Sequence, residues 1–152
     1  MKSILATLAL APALLAAAPA AQDANAVIGR WKTETRNSIV EIRRCGASIC
    51  GRILASEALR TNPTLKDSRN RDTALRGRPL RGLQILGGFR QDGKGWSGGT
   101  IYNPEDGKTY DADITLTDAN TLSLRGCVFK PFYKTQTWPA RADGCAAHKA
   151  AR

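Results

Sequence analysis

The chain has 152 residues, with 23 Lys and Arg against 13 Asp and Glu, a formal net charge of +10. Once an N-terminal leader is set aside, about 130 residues remain, enough for one domain burying roughly two-thirds of its unfolded surface. No apolar run in that remainder is long enough to form a helix that crosses a bilayer.

The leader is Met1-Lys2-Ser3 followed by an apolar run from Ile4 to Ala18. One positive charge, a short apolar run and small residues after it make a secretory signal, expected over residues 1–21. Ala18-Pro19-Ala20 fits the A-x-A cleavage rule, with Ala24-Asn25-Ala26 as a second option. Pro12 and Pro19 interrupt the run, so a membrane anchor is not expected. No Cys follows it to carry a lipid. The expected location is periplasmic or secreted. There, a basic surface meets phospholipid head groups, phosphorylated glycolipid and acidic polymers rather than nucleic acid.

The barrel domain is expected over residues 27–141, with a polar tail over 142–152. A first strand is read around Arg30 to Thr35, with Trp31 inward. A second runs from Ile39 to Arg44, where Val40 and Ile42 alternate with Glu41 and Arg43. A third runs from Ile49 to Ala55. From Ser56 to Arg81 neither a period of two nor one of 3.6 is sustained, apart from a helical turn near Glu57 to Arg60. Loops this long are usually lids or binding loops. Between Arg60 and Arg81 seven basic residues face Asp67 and Asp72, a local charge of +5.

Strands resume at Leu83 to Leu86. Trp96 to Leu116 then reads as a β-hairpin turning at Asn103-Pro104-Glu105-Asp106-Gly107, where Pro presets φ and Gly supplies a positive one. On its return leg Tyr110, Ala112, Ile114 and Leu116 alternate with Asp111, Asp113 and Thr115. Further strands span Thr121 to Val128 and Tyr133 to Trp138. The fold class is therefore all-β: a single small antiparallel barrel of about eight strands, with one long loop between strands 3 and 4. Closure removes exposed edges, and eight strands enclose either a filled interior or one small ligand. Gly87, Gly88, Gly98 and Gly99 suit the bends of such a sheet.

Four cysteines allow three pairings. Cys45 and Cys50 end a tight turn and are expected to face each other across two strands, within reach of a disulfide. Cys127 with Cys145 is the default second pair. Loop closure gives about 2 kcal/mol for the first and about 3 for the second on the chain-entropy account. Only the first pair has the spacing of a zinc site, so no metal is expected.

Gly29-Arg30-Trp31, Cys50-Gly51-Arg52-Ile53, Lys66-Asp67 with Asn70, Arg78-Pro79-Leu80 and Gly82-Leu83 form an ordered series. It continues with Gly98-Gly99-Thr100-Ile101-Tyr102, Pro104, Gly107-Lys108-Thr109-Tyr110, Leu124-Arg125-Gly126 and Thr135-Gln136-Thr137-Trp138. Together these resemble the bacterial secreted family known as domain of unknown function 2147. Where that family usually ends its last strand Trp-Thr-Arg, this chain has Trp138-Pro139-Ala140-Arg141. The resemblance implies a lipocalin-like barrel and no reaction. It implies structural roles for Gly29, Trp31, Gly51, Asp67, Asn70, Gly99, Pro104, Gly107 and Trp138. The Gly29-x-Trp31 start is similar to the lipocalin opening, in which the Trp plugs the barrel floor under a basic side chain, here Arg125 or Arg141.

No constellation supports an enzyme. The one His, His148, stands in the tail without a triad around it. Asp111 and Asp113 share a strand face assigned to solvent. Asp67 and Asp72 are expected to form exposed ion pairs with nearby arginines, and no cofactor is expected. The reading is a small-ligand binder, its barrel mouth gated by the Ser56–Arg81 loop. Phe89, Trp96, Tyr102 and Tyr110 line the cavity, and Arg78 or Arg81 meets an acidic head group. The bland account is that these aromatics fill a dry core. The alternative function is an envelope interaction protein, docking on anionic lipid or polymer through Arg69, Arg71, Arg76 and Arg78. Oligomeric state is left open.

Overall fold

A computed structural model of the chain describes residues 23–93, 95–129 and 132–140. The expected leader, the expected tail with Cys145 and His148, and Arg141 lie outside the described residues.

Nine strands form one antiparallel sheet among these residues: β1 Gly29–Lys32, β2 Ile39–Cys45, β3 Ser48–Ala55, β4 Gln84–Gly87, β5 Arg90–Asp92, β6 Gly95–Asn103, β7 Lys108–Asp118, β8 Thr121–Phe129 and β9 Phe132–Pro139. Their spatial order is β1-β2-β3-β4-β6-β7-β8-β9, with β5 paired to β6 off that path. A bridge between Trp31 and Ala140 brings the two ends of the path together, so an eight-strand ring is nearly closed. The expected barrel is therefore present. The short β5 is an addition the sequence did not signal.

Alternation decides which face each strand buries. On β7, Ala112, Ile114 and Leu116 are buried while Asp111, Thr115 and Thr117 are exposed. The turn before it is built as its residue types require. The Gly107 N–H donates to the Asn103 carbonyl at 2.9 Å, and the Asn103 and Asp106 side chains accept from the backbone of Glu105 and Lys108. On β6 the register shifts between Trp96 and Gly99, with Gly98 at φ +63°. The bulge turns the strand so that Gly99 faces Phe89, whose ring fills the place a Cβ would take.

The Cys45–Cys50 disulfide is present, with Cα atoms 5.9 Å apart. Cys45 stands opposite Ser48 and Cys50 opposite Arg43, so the bridge runs diagonally. The directly opposed placement expected from the sequence is corrected by the two-residue turn at Gly46-Ala47.

One end of the barrel is closed. A 3₁₀ turn, Ala24–Val27, packs there with Ala24 and Val27 buried. The Trp96 indole N–H donates to the Ala24 carbonyl at 2.7 Å, and the Trp31 indole N–H to the Val27 carbonyl at 2.8 Å. The packed body thus begins before Val27, where the domain boundary was drawn. Trp31 lies in this floor, as the lipocalin-like opening implies. Arg44 lies over the Trp96 ring at 4.8 Å. Arg125 is exposed at the register position opposite Asp113.

Candidate functional site

The opposite end of the barrel is open. It leads into a cavity of about 640 Å³. The walls are apolar: Val40, Ile53, Ile101 and Leu124 come from the strands, and Trp138 from β9. Leu59 and Leu65, from the segment after β3, complete one side. A volume in the range of roughly 300–1,000 Å³, apolar with few polar groups, is what small-molecule sites have. The rim is different. Arg36, Lys66, Arg69 and Lys134 stand there against Glu105 and Asp106.

The segment between β3 and β4 shapes this mouth, and it is folded, not loose. Its first turn is α1, Glu57–Thr61, capped by the Ser56 hydroxyl, which accepts from the Leu59 N–H at 3.1 Å. A second short turn, Thr73–Leu75, is capped by Asp72, and a bridge joins Lys66 to Pro79. The arm so formed lies against β6 and the β6–β7 turn. Its anchor is a buried polar cluster. Asp67 Oδ2 accepts from Arg78 Nε and Nη2, both at 2.9 Å, and from Asn70 Nδ2 at 2.8 Å. Asp67 Oδ1 accepts from the Tyr102 hydroxyl at 2.6 Å, and Asn70 Nδ2 also reaches that hydroxyl. The Arg78 guanidinium lies over the Tyr102 ring at 5.2 Å. The expected exposed ion pair of Asp67 is thus corrected: its side chain has no solvent exposure, and Arg78 retains 34%.

Burial, then the hydrogen bond to Asp67, raises the Tyr102 pKa above the ordinary tyrosine value of 10.0. Tyr110 is raised first by its hydrogen bond to Asp106 and then by burial. Both phenols are therefore neutral donors at physiological pH.

Two of the arm's exposed arginines also bond to its surroundings. Arg69 Nη1 donates to the Glu105 carbonyl at 2.8 Å and Arg76 Nε to the Asn70 carbonyl at 2.8 Å. Gly107, at φ +67°, lies so close under Arg69 that a Cβ would overlap the Arg69 carbonyl. Only glycine permits this contact between hairpin and arm.

Residues 29–140 match the bacterial family described as "Uncharacterized protein conserved in bacteria (DUF2147)". The chain belongs to this family. No curated protein matches it. Among solved structures it is similar to "Protein HP1028 from the human pathogen Helicobacter pylori belongs to the lipocalin family", with 23% identity and a TM-score of 0.68 over 77% of this chain and 84% of that one. At that identity the likeness establishes the lipocalin fold alone.

Seen on the DUF2147 barrel, the six residues expected to meet a ligand divide. Tyr110 lines the cavity, opposite Ile101 in the register. Tyr102 also lines it, and its hydroxyl donates to Asp67 of the arm. Phe89 and Trp96 are buried in the core, against Gly99 and in the floor respectively. Arg78 is the partner of Asp67, and Arg81 is exposed outside the cavity lining. The rim residues Arg36 and Glu105 were not singled out in the sequence. The Asn-Pro-Glu-Asp-Gly turn signalled the place of Glu105, and nothing local signalled its partner. Cys127 is half-buried on β8, and its expected partner lies outside the described residues.

Proposed function

We propose that this DUF2147 protein is an exported binding protein, not an enzyme. It holds a small apolar or acidic ligand in the barrel. The observation that carries the reading is the 640 Å³ cavity, apolar in depth, with a rim where cations outnumber acids. Export is supported by the leader composition and by the Cys45–Cys50 bridge, which suits an oxidising compartment. No helix among the described residues is long and apolar enough to cross a membrane. Of the docking alternative's four arginines, Arg78 is paired with the buried Asp67, while Arg69 and Arg76 each donate to a backbone carbonyl and stay exposed, as does Arg71.

The test is native mass spectrometry of protein released gently from the periplasm, paired with titration by N-phenyl-1-naphthylamine, an uncharged dye that brightens in apolar pockets. The expected result is a co-purifying small-molecule adduct and saturable one-to-one dye binding. Protein that is always ligand-free and fails to bind the dye would end the binding reading.

A further inference from the structure

Three segments converge over the barrel mouth. The β1–β2 turn brings Arg36 and the β6–β7 turn brings Glu105, and these two side chains form an ion pair. In the ring order these turns are four strands apart out of eight, on opposite sides of the opening. The arm brings Arg69, which donates to the Glu105 carbonyl, and Lys66, which lines the same rim. Lys66 and Lys134 have no acidic partner within salt-bridge distance among the described residues.

The β1–β2 turn is held in an unusual shape to do this. Arg36 and Asn37 both adopt positive φ, +60° and +47°, a region that disfavours residues with a Cβ. The Arg36 carbonyl accepts from the Glu57 N–H at 3.3 Å, joining the turn to α1. A non-glycine turn at positive φ thus carries an exposed guanidinium to the charged rim of an apolar cavity. Among the described residues it forms an ion pair with one carboxylate, Glu105.

We infer that the ligand is an anionic amphiphile, a single apolar chain with a carboxylate or phosphate head, and that its head displaces Glu105 from Arg36. This inference rests on the cavity-binding reading above and adds the charge of the ligand and the residues that select it. Glu105 is an internal stand-in for the head group. While the site is empty it keeps Arg36 neutralised and the two turns clasped across the mouth. A ligand that brings its own anion replaces the exposed pair ion for ion. An uncharged amphiphile of the same length gains nothing from Arg36, and the exposed clasp it opens is weak.

Three properties follow. Anionic ligands bind better than neutral ones of equal chain length. Removing the Glu105 charge improves binding of an anion, because the competitor is gone. Removing the Arg36 charge weakens an anion and leaves a neutral ligand nearly unaffected.

The experiment measures displacement of N-phenyl-1-naphthylamine by dodecanoate and by dodecan-1-ol, on wild type, Arg36→Gln, Glu105→Gln and Arg60→Gln. Arg60 is exposed on α1 outside the cavity lining and controls for net charge. For dodecanoate, Arg36→Gln is expected to weaken displacement about fivefold and Glu105→Gln to strengthen it about threefold, as solvent-exposed charge pairs allow. For dodecan-1-ol both changes stay within about twofold. Raising salt should weaken dodecanoate only. Equal response of the acid and the alcohol to Arg36→Gln, or an Arg60→Gln effect as large, overturns the head-group assignment while leaving the cavity reading intact. Failure of the dye itself to bind overturns both.

Discussion

Asp67 is the test of how the arm is held. Asp67→Ala removes one acceptor group from two Arg78 N–H groups, one Asn70 amide and the Tyr102 hydroxyl at once. In a fully buried pair, deleting one partner costs about 3–5 kcal/mol, because the other charge is stranded. Arg78 is one-third exposed, so water recovers part of that loss, and about 2–3 kcal/mol is expected. A surface pair, which the sequence suggested, would cost no more than about 1 kcal/mol. The two accounts are far enough apart to separate by urea unfolding, followed through Trp31, Trp96 and Trp138, all buried. The stricter measurement is a double-mutant cycle of Asp67→Ala with Arg78→Ala, where coupling of about 1.5 kcal/mol or more is expected. If only the arm opens, the fluorescence transition stays in place. The same loss then appears as faster amide exchange at Asp67, whose N–H donates to the Arg78 carbonyl at 3.0 Å. A loss below about 1 kcal/mol in both observables, with additive single changes, would refute the buried-anchor account.

Gly107→Ala is expected to cost about 2–4 kcal/mol by thermal unfolding, from positive φ plus collision with the Arg69 carbonyl. Gly46→Ala, at φ +62° with open space around it, should cost only about 1 kcal/mol and isolates the backbone term. Tyr102 and Tyr110 are both raised in the fold, so the unfolded chain loses these protons first as pH climbs. Stability should be unaffected by them below pH 10.0 and fall above it. The slope should shrink in Tyr110→Phe, and ultraviolet titration should show late ionisation. Cys45→Ser, which removes the Cys45–Cys50 bridge alone, should lower the urea midpoint under non-reducing conditions by an amount worth about 2 kcal/mol. If the protein is exported, intact mass should place the mature N-terminus at or before Asp23. Cleavage after Ala26 would delete the Ala24 carbonyl and strand the buried Trp96 N–H.

The strands and the hairpin were legible because their information is local. Val40 and Ile42 alternate with charged neighbours, and Asn103 to Gly107 carry the residue types their turn needs. The faces of the aromatics were not legible. The bulge at Ser97-Gly98 adds a residue that no period of two anticipates, and register alone then decides what faces inward. Asp67 was the larger surprise. In the sequence it is one of two acids among seven bases and reads as a surface ion pair. What buries it is Tyr102, 35 positions away, and no local pattern encodes that meeting. The one hint was that Asp67 and Asn70 belong to the series that carries the family resemblance.

That series bears on where specificity resides. Asp67, Asn70, Arg78, Tyr102 and Gly107 form or seat the arm's anchor, in which every buried side-chain polar atom is already used. No buried side-chain polar atom among the described residues lacks a partner. A saturated cluster cannot take a ligand without losing its own bonds, so these residues are scaffold. Among the other series members that line the cavity, Tyr110 donates to Asp106 and Gln136 Oε1 accepts from the Trp138 N–H. The polar groups free to exchange are those of the rim, Arg36, Lys66, Glu105 and Lys134, and none but Lys66 stands in the series. On the binding reading proposed above, the choice of what enters the mouth falls chiefly to rim side chains outside the series, Lys66 being the exception.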